Sequence, residues 1–216
     1  MVFTASVSWK YLAAAALFAC AAVAQPYEIG GAIGYGVYHD GTIFSPGATA
    51  AAGIRNRFAA GAVLGEDLYE HMSGEVRYLY HDGHPFLSSG EVKTDMQGQS
   101  HTLTYEFLFH LRDRDQRLRP FVAAGAGVKG YVVAGPAPVP QPLAKIATLE
   151  TQDQWKFVAG VGGGVKYRLG GHVLVRADLR DYLTTFPRRQ IAPAASNTAR
   201  GVFQQFTLLF GASWYF

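Results

Sequence analysis

The chain has 216 residues, with 19 lysines and arginines against 16 aspartates and glutamates, a formal charge of +3. That excess is too small and too dispersed for a nucleic-acid binder, and no run beyond the N-terminus approaches the roughly 20 apolar residues of a membrane-crossing helix. The length fits one domain, and the 25 glycines sit inside apolar runs instead of forming linkers, which strands tolerate better than helices.

Residues 1–24 hold one basic residue, Lys10, then the apolar run Tyr11 to Ala24, ending Ala22-Val23-Ala24 before Gln25. This pattern predicts a cleavable signal peptide, cut after Ala24, ahead of a domain spanning 25–216. The run of about 14 residues is too short to serve as a membrane anchor. Leu17-Phe18-Ala19-Cys20 is a rival reading as a lipoprotein box, with Phe18 bulky where a small residue is preferred. Lipidation of Cys20 therefore stays open. Cleavage after Ala24 removes the single cysteine, so the mature chain would hold no disulfide.

Alternation of apolar and polar residues then predicts eight strands, at Tyr27–Tyr38, Arg57–Glu66, Ser73–His81, Ser100–Leu111, Phe121–Val133, Gln154–Arg168, Val173–Tyr182 and Gly201–Phe216. Their lengths suit tilted membrane strands, which need about 9–11 residues. Connections after the second, fourth and sixth are short, and those after the first, third, fifth and seventh are mostly long. Short turns on one side and long loops on the other match outer-membrane barrels with external loops. The loop Ala134–Asp153 carries Pro136, Pro138, Pro140 and Pro142 and is expected to be extended, not helical.

In the third, fourth, sixth and seventh strands one face is apolar and the other carries charge. The seventh sets Val173, Val175, Ala177 and Leu179 against Arg176, Asp178 and Arg180; the fourth sets Leu103, Tyr105, Phe107 and Phe109 against Thr104, Glu106 and His110. An arginine or lysine facing lipid near the midplane costs about 2–4 kcal/mol, so the charged face must be wet or paired. Eight strands leave an interior that side chains just fill. The inward set Glu28, Glu75, Arg77, Glu106, Lys129, Lys156, Lys166, Arg176, Asp178 and Arg180 carries both signs and predicts a packed ion-pair network.

Other motifs have plainer readings than the chemistry they resemble. Gly125-Ala-Gly-Val-Lys129 and Gly162-Gly-Gly-Val-Lys166 evoke phosphate loops, but both lysines fall in strands and the spacing misses the nucleotide-binding pattern. His81 and His84 flank a polar turn with no third or fourth metal ligand nearby. No cofactor is expected.

The last segment alternates Phe206, Leu208, Phe210, Ala212, Trp214 and Phe216 on one face. Its ending Gly211-x-x-Trp214-x-Phe216 resembles the C-terminal signature of bacterial outer-membrane β-barrels, with Leu209 where a polar residue is usual. The resemblance implies recognition by the barrel-assembly machinery. Across residues 26–216 the chain resembles the small OmpA/OmpX-type barrels, without the peptidoglycan-binding domain of longer members. That resemblance implies an all-β, eight-stranded antiparallel up-and-down transmembrane barrel in the outer membrane. Outer-membrane lipid would surround it, and its external loop partner is unidentified. Lipid A deacylases of this architecture carry a His-x-Ser-Asn motif, whereas Ala194 precedes Ser196-Asn197 here by two positions. The leading functional reading is a structural or surface-interaction protein without catalysis. The alternatives are a lipid-modifying enzyme and a soluble periplasmic carrier of apolar ligands.

Overall fold

The structure, a computed structural model, describes residues 26–200 and 202–216. The residues of the expected cleavage site, Ala22, Ala24 and Gln25, and Cys20, lie outside the described residues. The strands are β1 (Tyr27–Tyr38), β2 (Gly41–Ser45), β3 (Ala48–Ile54), β4 (Arg57–Tyr69), β5 (Met72–Asp82), β6 (Pro85–Ser89), β7 (Val92–Asp95) and β8 (Gly98–His110). They continue as β9 (Leu118–Val133), β10 (Ala147–Leu149), β11 (Gln154–Arg168), β12 (Val173–Thr185), β13 (Ile191–Pro193), β14 (Thr198–Arg200) and β15 (Val202–Tyr215).

Eight of these close an antiparallel barrel in the order β1-β15-β12-β11-β9-β8-β5-β4. They coincide with the eight predicted segments, and no boundary differs by more than three residues. With the loop strands set aside, every neighbour in the ring is also a neighbour in sequence except at the seam, where the first strand β1 pairs with the last, β15; this is the up-and-down arrangement. Paired residues traced round the ring from His101 run through Tyr80, Ala60, Ile33, Phe210, Ala177, Val165 and Pro120. The path returns at Leu111, ten positions further along the chain. A stagger of this kind sets the strand tilt in the range of about 35–45°.

The outer face is an apolar belt. Ile33, Leu64, Leu103, Val122, Leu179 and Phe210 are each between 48% and 61% exposed. Water would not leave so continuous an apolar surface uncovered, and a closed barrel has no sheet edge to pair elsewhere, so the belt suits hydrocarbon. Aromatic residues mark its two ends, with Trp155, Tyr78 and Tyr80 toward the long loops and Trp214, Tyr167 and Phe109 toward the short turns, as interfacial girdles do.

The long loops are not irregular. Seven short strands were not apparent in the sequence, and they build a five-stranded sheet, β14-β2-β3-β6-β7, and a two-stranded sheet, β10-β13. Ala134–Gln141 runs without strand or helix, as its prolines demand, before a turn leads into β10. All four loops meet in one apolar core. Ile43, Ala52 and Ile54 come from the first, Leu87 and Met96 from the second, Ile146 and Leu149 from the third, and Phe186 and Ile191 from the fourth. Tyr38, Tyr131 and Phe203 at the top of the barrel wall join that core and fasten the cap to the barrel.

Inside the barrel, glycines make room for rings. A side chain at Gly160 would bring its Cβ 3.0 Å from the Tyr182 ring, and one at Gly164 would bring it 2.8 Å from Phe121. Gly160→Val is therefore expected to destabilise the barrel by about 1–3 kcal/mol despite valine's preference for strands. The urea midpoint of the heat-modifiable band on gels checks this; an unchanged or higher midpoint would show that the ring moves aside freely.

Candidate functional site

Strand alternation fixes which side chains enter the lumen. From the short-turn end outward, β12 sends in Leu174, Arg176, Asp178, Arg180, Tyr182 and Thr184, and β5 sends in Ser73, Glu75, Arg77, Leu79 and His81. β8 adds His110, Leu108, Glu106, Thr104, Thr102 and Ser100.

Eight of the ten predicted inward charges form one buried network of four acids and four bases, because these registers bring their layers to matching heights. Arg176 is its hub, fully buried, with Nη1 donating to Glu28 at 3.1 Å and to Glu75 at 2.7 Å, and Nε donating to Asp178 at 2.9 Å. Arg77 Nη2 donates to Glu75 at 2.6 Å and to Asp178 at 3.0 Å. Arg180 Nε donates to Glu106 at 2.8 Å, and the Tyr182 hydroxyl donates to the other oxygen of Glu106 at 3.1 Å. Lys166 pairs with Glu28 at the short-turn end. The Phe121 ring packs beneath Arg176 and Arg180, filling space that water would otherwise occupy.

The other two predicted members lie apart. Lys129 is fully buried, yet among the described residues no carboxylate pairs with it. Lys156 sits half-buried near the outer end of β11 beside Lys129 in register, and forms no ion pair among the described residues. Two participants were missed by the sequence reading. Asp67 accepts from Ser73 at 2.6 Å and lies 3.3 Å from Arg119, closing the short-turn mouth. Both fall just beyond predicted segment ends, and carrying the alternation past Glu66 and back from Phe121 would have found them.

The remaining candidate motifs do not converge on chemistry. The two glycine-lysine repeats lie on neighbouring antiparallel strands, so Lys129 and Lys166 end at opposite ends of the lumen. His81 points into the lumen with Nε2 3.2 Å from the Thr207 hydroxyl, whereas His84 lies outside it near Arg57 and Asp82. No cluster of three metal-ligating side chains occurs among the described residues. Asn197 donates to the Ile146 carbonyl at 2.8 Å and pins the fourth loop to the third. Leu209 is buried in the lumen, while Trp214 and Phe216 of the C-terminal motif are 52% and 59% exposed on the belt. The departure at Leu209 is thus an inward residue, not a break in the outward pattern. Gly211 sits between them against Gly31 and Ala32 of β1, at the closing seam.

At the rim of the cap, an open groove of about 630 Å³ is lined by Tyr35, Asp40, Arg55, Asn56, Arg57 and Phe86. Burial raises the affinity of the Asp40 carboxyl for its proton, with His39 opposing. Arg55 donates to Asp95 at 2.8 Å and Arg57 to Asp82 at 3.1 Å, so the groove carries matched charge.

No protein-family model matches the sequence, and comparison with curated proteins finds no match. Among solved structures, Neisserial surface protein A aligns with a TM-score of 0.52 at 12% identity, covering 88% of this chain and 96% of that one. The N-terminal β-barrel domain of Pseudomonas aeruginosa OprF aligns at 0.46 and 16% identity, over 88% of this chain and 97% of that one. Ail, the attachment invasion locus protein of Yersinia pestis, aligns at 0.43 and 11% identity, over 88% and 99%. The likeness to the Neisserial protein is one of fold: an eight-stranded barrel of the small outer-membrane type.

Proposed function

We propose that this is an outer-membrane barrel whose working surface is its ordered external cap, with a filled lumen that neither conducts nor catalyses. The carrying observation is the shared apolar core that ties all four long loops to Tyr38, Tyr131 and Phe203 above the barrel mouth. Loops that served only as connections would have no need of a common core, whereas a surface that meets a partner gains from being held in one shape. The buried ion-pair ladder supports the same reading from below, since it spans an interior that eight strands make just wide enough for side chains to fill. A soluble carrier of apolar ligands needs an apolar interior, and this interior is charged. In biogenesis the partner would be the barrel-assembly machinery, reading Gly211, Trp214 and Phe216; outer-membrane lipid surrounds the finished belt.

Purified protein in planar bilayers is expected to show no steady conductance, and a stable open level would overturn the filled-lumen reading. Lipid A from cells with and without the protein is expected to have the same mass spectrum. A mass change that depends on the protein would favour the lipid-modifying alternative.

A further inference from the structure

Among the described residues Lys129 is the one fully buried lumenal cation without a carboxylate partner, and its surroundings are built for a negative charge that those residues do not supply. It is 1% exposed. Beneath it, Ala59, Leu79, Val158, Tyr182 and Leu209 form an apolar cluster between it and the ladder, and above it stand Tyr38, Tyr131 and Phe203 of the cap core. The nearest ladder carboxylate along β8 is Glu106, which Arg180 and Tyr182 already engage. Of the three ammonium donors, one goes to the Gln205 side-chain oxygen, while the Tyr38 and Tyr131 ring centroids lie 5.0 and 5.2 Å from Nζ. The hydroxyls of those tyrosines bond Ser100 and Thr184 instead. Thr102, directly across the ladder from Lys129, has no hydrogen-bond partner for its hydroxyl among the described residues, and neither does Nδ1 of His81.

We infer that the outer layer of the lumen binds a small monovalent anion of the halide class, held by the Lys129 ammonium, the Thr102 hydroxyl and the His81 Nδ1–H. A single buried cation between apolar layers is costly without a counter-charge, and the ladder below, being neutral as a set, offers none. Gln205 Nε2 donates to the Thr207 oxygen, which leaves the Thr207 hydroxyl to donate to Nε2 of His81; in that tautomer Nδ1 carries the proton and joins the other donors. Lys156, its register neighbour, is only half-buried and is screened by solvent, so a single buried charge remains to be balanced and selects a monovalent ion; the flanking rings favour a weakly hydrated one, so bromide should bind at least as well as chloride.

The test refolds the full mature barrel into detergent at equal ionic strength in chloride, bromide or gluconate. The midpoint of the heat-dependent gel shift is expected to be higher in either halide than in gluconate, by about 3 °C or more. Lys129→Met should abolish that dependence. Crystals grown in bromide should show an anomalous peak beside Nζ of the native protein, a readout that stands even if the variant does not fold. Equal midpoints in all three salts, or bromide crystals with no such peak, would overturn the inference and leave the amine held by protein groups alone.

Discussion

Replacing Arg176 with methionine is expected to cost the barrel about 3–5 kcal/mol of stability, the largest loss for any single lumenal side chain. Methionine fills much of the same volume, so the cost is electrostatic more than a matter of packing. Arg176 bonds Glu28, Glu75 and Asp178 at once, and without it those three carboxylates share only Lys166 and Arg77. The set then carries one excess negative charge in a space without bulk water. Adding Glu75→Gln to Arg176→Met removes that excess, and the double variant should recover part of the loss, with a coupling of about 0.5–3 kcal/mol. Urea unfolding followed on heat-modifiable gels measures both. A single-variant cost below about 1 kcal/mol would mean that water enters the lumen and screens the ladder.

The barrel strands were legible because their two faces meet media that differ so sharply. Along β12 the alternation of Val175, Ala177 and Leu179 with Arg176, Asp178 and Arg180 leaves no doubt about phase, and phase decides which charges enter the lumen. The cap strands lack that contrast. β3 reads Ala-Thr-Ala-Ala-Ala-Gly-Ile and ends with three consecutive buried residues, and β10, β13 and β14 span three residues each. Such strands are stabilised by a core assembled from four distant loops, and local periodicity carries no trace of it. Phase has a second blind spot, which is height. Lys129 and Lys166 share a sequence motif and an inward phase, yet one lies under the cap and the other at the opposite mouth, because successive strands run in opposite directions. Pairing depends on the stagger of the whole ring, so the sequence showed that a network was present without showing that Lys129 and Lys156 stand outside it.

Leu179→Arg is expected to cost about 2–4 kcal/mol in a bilayer, and Val175→Arg about 0–1 kcal/mol. Both side chains point outward from β12, but Leu179 is at the middle of its thirteen residues and Val175 is two residues from its short-turn end. A guanidinium at Val175 can extend to the headgroups along its own stem, whereas one at Leu179 must bring water inward or deform the bilayer. The neighbouring position makes the contrast sharper. Arg180 is tolerated one residue away because it faces inward and donates to Glu106 at 2.8 Å. The same side chain moved by one position meets hydrocarbon and no partner. Unfolding in lipid vesicles compared with detergent micelles separates the causes, since a cost set by bilayer depth should shrink in micelles. Equal costs at the two positions, or equal costs in the two media, would show that the belt does not face lipid where the register of β12 places it.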